Sequence, residues 1–236
     1  MFKKRQTGAW KKLTGGPKAV LLDMDGVVAD SMRFHVRAWQ EAFGHYGLQV
    51  SSEALYLNEG AIALDTVRGL NDGHIDEELA ENISRLQKAI FEEKYLPGVR
   101  LYPDAHDFLE GLRLAGAEAA LVSGSAERSV LSLLSAEVRC YFSTVICGDR
   151  CSRPKPHPEP YLLALRELGL AAAECLAVEN SPAGITSARA AGLRCYGLST
   201  TLTPEHLSGA WRVFGSLAEL GRHLHLPAAK EESAVA

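Results

Sequence analysis

Apolar positions in this chain alternate between two patterns. Residues 18–23 form a short apolar run without alternation that stops at Asp23-Met24-Asp25-Gly26, as a strand buried on both faces of a parallel sheet would. Runs of the same kind recur at 117–122, 143–147, 175–178 and 194–198. Between them, residues 104–114, 127–134, 158–168 and 182–191 carry helical periodicity, and Gly116, Gly169 and Gly192 follow three of these as helix-ending residues. Strand and helix in alternation predict βαβ units with right-handed crossovers, hence an open parallel sheet covered on both sides by helices.

One segment departs from this rhythm. From about residue 30 to 97 only helical spacing is visible, with Met32, His35, Val36, Trp39, Ala42 and Phe43 on one stripe and Leu79, Ile83, Leu86 and Ile90 on another. This predicts a helical subdomain, residues 30–97, inserted into an α/β core made of 18–29 and 98–225. Its exit, Tyr95-Leu96-Pro97-Gly98-Val99, has Pro-Gly punctuation, and its entrance falls close to Asp25, so both linkers are expected near the end of the first strand. Residues 1–17 read as a flexible basic tail, carrying Lys3, Lys4, Arg5, Lys11 and Lys12, and residues 226–236 as a small, polar, disordered one.

Composition narrows the class. The chain has 236 residues, 47% hydrophobic, with 25 Lys and Arg against 29 Asp and Glu, giving a net charge of −4. That length buries a sufficient core without disulfides, and the acidic balance provides no footprint for nucleic acid or an anionic membrane surface. No apolar run reaches the roughly 18 residues of a membrane span. Cys140, Cys147, Cys151, Cys175 and Cys195 show neither CxxC nor zinc-ligand spacing, so free thiols in a reducing cytoplasm are expected.

In open parallel sheets ligands bind beyond the carboxyl ends of the strands, so the residues following each strand carry the functional argument. These are Asp23 and Asp25, then Ser123-Gly124-Ser125, then a loop reaching Lys155, then Glu179-Asn180. A carboxylate directly ending a buried strand is costly unless a cation or donors receive it. Two Asp, a Ser, a Lys and a Glu/Asn pair on four strand ends make a set suited to Mg²⁺ and a phosphoryl group: hard oxygens for the metal, Ser and Lys donors for the phosphate oxygens.

Four strings, Leu21-Leu22-Asp23-Met24-Asp25-Gly26-Val27, Leu121-Val122-Ser123-Gly124-Ser125, Lys155-Pro156-His157-Pro158-Glu159-Pro160-Tyr161 and Val178-Glu179-Asn180-Ser181-Pro182-Ala183-Gly184, resemble in order the four motifs of the haloacid-dehalogenase-like (HAD) hydrolase superfamily. The resemblance covers roughly residues 18–215. The insertion resembles the helical cap of the β-phosphoglucomutase-like branch, matched by Asp30-Ser31-Met32-Arg33-Phe34-His35-Val36-Arg37-Ala38-Trp39, while Asn58-Glu59-Gly60 and Glu179-Asn180 look most like its inorganic pyrophosphatase members.

The resemblance implies a Rossmann-like HAD core with an inserted α-helical cap, and a cytoplasmic Mg²⁺-dependent phosphohydrolase acting on a small phosphorylated metabolite or pyrophosphate, as a monomer or weak dimer. Asp23 would be the nucleophile that forms an aspartyl-phosphate. Asp25 would protonate the leaving group and then activate water, in an environment favouring proton exchange near neutral pH. Asp23, the Asp25 backbone carbonyl, Glu179 and Asn180 would hold Mg²⁺. Ser123 and Lys155 would bind the transferring phosphoryl, and Gly124, Ser125, His35, Glu59 and Gly60 would contact substrate. A phosphomutase and a non-enzymatic phosphate-binding member are the alternatives. Two departures bear on the choice. Asn180 stands where many relatives carry Asp, and Glu59-Gly60-Ala61-Ile62 offers no arginine where the mutases grip a second phosphate.

Overall fold

A computed structural model describes residues 16–58, 67 and 75–228. Among these, six parallel strands form one sheet: β1 (Ala19–Leu22), β2 (Glu118–Val122), β3 (Phe142–Ile146), β4 (Cys175–Glu179), β5 (Arg194–Leu198) and β6 (Arg212–Phe214), in the order β3-β2-β1-β4-β5-β6. β1 pairs with β2 on one side and with β4 on the other, so the strand order reverses at β1. That reversal opens a crevice beyond Leu22. The short edge strand β6 is an addition to the five runs read from the sequence: three residues, one of them buried, are too few for periodicity to register.

The apolar runs are explained by burial on two faces. Successive β1 side chains alternate, so Val20 and Leu22 enter one core and Ala19 and Leu21 the other. The first core is closed by α4 (Ala105–Ala115) through Phe108, Leu109 and Leu112, and by α9 (Leu217–His223) through Leu217 and Leu220. The second is closed by α7 (Glu159–Leu168) through Tyr161 and Leu165, and by α8 (Pro182–Ala190) through Ile185 and Ala188. Gly116 and Gly169 end α4 and α7 at φ 78° and 68°, a backbone region that other residues adopt only with strain. Leu226 packs onto the first core, so the expected disordered tail does not begin at 226; residues 229–236 and 1–15 lie outside the described residues.

The insertion forms helices α1 (Met32–His45), α2 (Ser52–Leu57) and α3 (Glu77–Ile90), with a core of their own containing Val36, Phe43, Leu55 and Ile83. The chain returns through a π-helical turn, Phe91–Tyr95, and a 3₁₀ turn, Leu96–Gly98. Its two connections run side by side: Asp30 N–H donates to Arg100 O at 2.9 Å and Tyr102 N–H to Val28 O at 2.9 Å. Both therefore pass within a few residues of Asp25. The remaining helices, α5 (Glu127–Leu133) and α6 (Ala136–Arg139), link β2 to β3.

Candidate active site

Most of the functional side chains are delivered by the end of a strand or by the turn after it. Asp23 continues β1, its N–H donating to Val178 O at 3.0 Å, and Ser123 continues β2, its N–H donating to Ile146 O at 2.9 Å. Glu179 is the last residue of β4, and Asn180 follows it. Ser181 caps α8 by accepting from Gly184 N–H at 3.1 Å, with Pro182 at the first helical position where its missing N–H costs nothing.

Lys155 joins the set across a long stretch of chain. Its Nζ donates to Asp23 Oδ1 at 2.6 Å, Glu179 Oε1 at 2.6 Å and Val122 O at 2.9 Å, which uses all three of its protons. Tyr161 lies beneath it, the ring centroid 5.2 Å from Nζ and the hydroxyl donating to Glu179 Oε1 at 2.7 Å. Burial alone would push the ammonium down, but Asp23 and Glu179 outweigh it and hold Lys155 above its ordinary value.

One ammonium does not balance two fully or nearly buried carboxylates with Asp25 adjacent. Burial foremost, with the Glu179 and Asp25 charges adding to it against the pull of Lys155, pushes the Asp23 carboxyl up to about 8. This excess of buried negative charge, on hard carboxylate and amide oxygens, is the chemistry that a second, divalent cation relieves. Among the described residues no three His, Cys, Asp or Glu side chains converge on a metal position, so such a site would include the Asn180 side-chain amide and the Asp25 backbone carbonyl oxygen. Two glycines make room for these groups. A Cβ on Gly184 would stand 2.1 Å from the Glu179 carboxylate, and one on Gly26 2.1 Å from Asn180 Nδ2.

Asp25 occupies a different environment. Ser31 Oγ donates to its Oδ1 at 2.5 Å, Ser125 Oγ to its Oδ2 at 2.8 Å, and His35 Nε2 lies 3.4 Å from Oδ1. Burial works to raise this carboxyl, yet His35 and the two hydroxyls prevail and hold it below the usual carboxylate range. The environment expected to favour proton exchange near pH 7 is therefore not the one observed: in this arrangement three groups stabilise the charged form.

The structure brings together Asp23, Asp25, Ser123, Gly124, Ser125, Lys155, Glu179 and Asn180 at the crevice. His35 reaches it from α1, stacked on Phe91 with ring centroids 3.7 Å apart, so it is neither plain core nor remote. Glu59 and Gly60 lie outside the described residues. Ser123 does not cap α5; its Oγ accepts from Ser125 N–H at 3.0 Å. Four contributors escaped the sequence reading. Ser31 looks like a helix cap, but its hydroxyl serves Asp25 and caps nothing. Tyr161 sits within the third motif without a role assigned to it. Thr200 Oγ1 donates to Gly26 O at 2.5 Å, and Thr201 Oγ1 accepts from Asn180 Nδ2 at 3.2 Å. Both stand just beyond β5, and paired hydroxyls at the carboxyl end of a fifth parallel strand are the signal that could have found them.

A parallel sheet with its acids gathered at the switch point, and a helical insertion rooted beside them, matches one family. The model of haloacid dehalogenase-like hydrolases matches residues 20–198, and the chain belongs to that family. It is a phosphatase-like hydrolase of it, similar to hexitol phosphatase A of Escherichia coli K12 (31% identity, covering 86% of this chain and 93% of the relative) and to phosphoglycolate phosphatase of Yersinia pestis (33%, covering 77% and 81%). Among solved structures, CbbY of Rhodobacter sphaeroides in complex with phosphate superposes with a TM-score of 0.68 at 26% identity, covering 89% of this chain and all of that one. Among the described residues no helix is long and apolar enough to cross a membrane.

Proposed function

We propose that the chain hydrolyses a small organic phosphate monoester, with Asp23 as nucleophile and Mg²⁺ as cofactor. The observation that carries this reading is the pairing of Asp23 with Lys155 at 2.6 Å beside Glu179, at the sheet's switch point. The similar hexitol and phosphoglycolate phosphatases favour an organic phosphate over pyrophosphate.

Asp23, Glu179, Asn180 and the Asp25 carbonyl would hold Mg²⁺, which when bound would offset the charge of the substrate phosphoryl. Lys155 lowers the repulsion between the Asp23 carboxylate and an anionic substrate. Attack by Asp23 on phosphorus forms an aspartyl-phosphate and expels the alkoxide oxygen, to which Asp25 gives a proton. Asp25 then takes a proton from the water that cleaves the acyl-phosphate, which releases phosphate and restores Asp23. A dianionic phosphoryl beside Asp25 raises its proton affinity toward the range this role needs, offsetting the three stabilising groups seen without substrate. Ser123 and the Gly124-Ser125 turn would bind the phosphoryl oxygens.

Residues 30–97 act as a cap in this reading, closing over the crevice on the paired connections beside Asp25 and keeping bulk water from the phosphoryl group. His35 travels with it. The purified chain with Mg²⁺ should release phosphate from at least one of a panel of sugar phosphates, hexitol phosphates and phosphoglycolate. EDTA should abolish the release and added Mg²⁺ should restore it. Failure on every ester, or release unaffected by the chelator, would overturn the reading.

A further inference from the structure

A second polar groove, of about 310 Å³, lies between the start of β5, the end of α8 and the loop leading into β6. It sits low on the sheet. Arg194 pairs with Leu176, whereas Glu179 at the candidate active site pairs with Gly197, three positions further along the strands and roughly 10 Å away at about 3.3 Å per residue.

Trp211 dominates this groove. Its side chain is exposed (71% for the residue), the most of any large apolar residue described, although its backbone is held firmly by Trp211 N–H donating to Cys195 O at 2.7 Å. The indole leaves most of its surface in water, where a planar ligand could stack on it. The Arg194 guanidinium carbon stands 4.9 Å from the ring centroid. Arg189, in the last turn of α8, lies against Gly209, where even a Cβ would come within 3.6 Å of Nη1. Among the described residues neither arginine has a carboxylate within 4.0 Å, so neither charge is neutralised by an ion pair within the groove. No Asp or Glu lines the groove, and Ser208 does.

We propose that this groove binds a mononucleotide, with the base stacked on Trp211 and the phosphate held between Arg189 and Arg194. Guanidinium groups suit the task because they stack on an aromatic face and donate in their own plane to phosphate oxygens at once. An indole platform supplies stacking worth having for any base, which a bare anion would not use. The volume is at the lower end of small-ligand sites and holds one nucleotide, not a strand. A chain of net charge −4 also lacks the extended basic track that an oligonucleotide requires. The site is separate from Asp23, so its occupancy does not depend on the proposed phosphatase chemistry.

Titration calorimetry on the full chain in EDTA tests this, with AMP, GMP, CMP and UMP as probes and adenosine and inorganic phosphate in parallel. At least one nucleotide should bind with one-to-one stoichiometry and a Kd below about 1 mM, at least tenfold tighter than adenosine or phosphate. Trp211→Ala, and separately Arg189→Ala with Arg194→Ala, should weaken it about tenfold or more while phosphate release measured without nucleotide stays at the wild-type rate. Absence of saturable binding for all four nucleotides would overturn the proposal. So would phosphate binding as tightly as the nucleotides, which marks a plain anion site, or nucleotide binding indifferent to these substitutions, which places the ligand at the crevice instead.

Discussion

Ser125 and Asp25 are 100 residues apart in the chain, and the Ser125 hydroxyl donates to Asp25 Oδ2 at 2.8 Å. The bond ties the turn after β2 to the turn after β1, and with Ser31 on the other oxygen it fixes the carboxylate's orientation. Asp25→Asn keeps the shape but neither gives nor takes a proton. Its rate on an alkyl phosphate should fall about 10²–10⁴-fold, with a smaller loss on an aryl phosphate whose leaving group needs no proton. Equal losses on both ester types would remove Asp25 from the proton-transfer role.

Asp23→Asn should abolish phosphate release and leave the fold intact, because the amide has no nucleophilic oxygen while Lys155 keeps Glu179 as its partner. The pH dependence has a definite sign. A carboxyl whose folded-state value is raised, here to about 8, contributes stability that is present below the unfolded value and is lost as pH climbs through the folded one. In EDTA, the wild-type Tm should therefore decline between about pH 4 and pH 8 relative to that of Asp23→Asn. Parallel Tm curves for the two proteins would show that Asp23 is not under this electrostatic load.

Gly184→Ala tests how closely α8 sits over Glu179. Its Cβ would stand 2.1 Å from the carboxylate, so the acid must move or the helix must shift. Overpacking of this kind costs about 1–3 kcal/mol, read by urea denaturation. We expect Mg²⁺ affinity, followed by calorimetry, to fall together with kcat/KM by at least about tenfold. Wild-type values of all three would mean that Glu179 has more freedom than the packing indicates.

Hydrolysis and isomerisation are separated by following free phosphate and glucose 6-phosphate in one tube of β-glucose 1-phosphate. A mutase must hold a second phosphate while its bisphosphate turns over, which calls for a cationic cap residue, and the Glu59-Gly60-Ala61-Ile62 string has none. Phosphate release should dominate by orders of magnitude, and Glu59→Ala should lower kcat/KM on the true substrate about tenfold, or 1.4 kcal/mol. Dominant isomerisation would make the chain a transferase; a silent Glu59→Ala would remove Glu59 from substrate selection.

Much of the architecture was legible in the chain because burial on both faces of a parallel strand leaves a one-dimensional trace. Val20 and Leu22 face one core and Ala19 and Leu21 the other, so the whole run must be apolar, and the acid that ends it stands out. The same logic located Asp23, Ser123 and Glu179, which stand at or just after strand ends, and Lys155 in the loop that leaves β3. The edge strand β6 was not legible, because a three-residue element is stabilised by pairing with β5 and leaves no period of its own. Tertiary structure alone decided the partners. That Ser31 serves Asp25 instead of capping α1, that Tyr161 donates to Glu179, and that Lys155 bridges two carboxylates depend on the placement of these side chains in the folded chain. It also reversed the expected electrostatics of Asp25. A residue's type states which protons it can carry, but its proton affinity is set by the charges and donors that folding places around it.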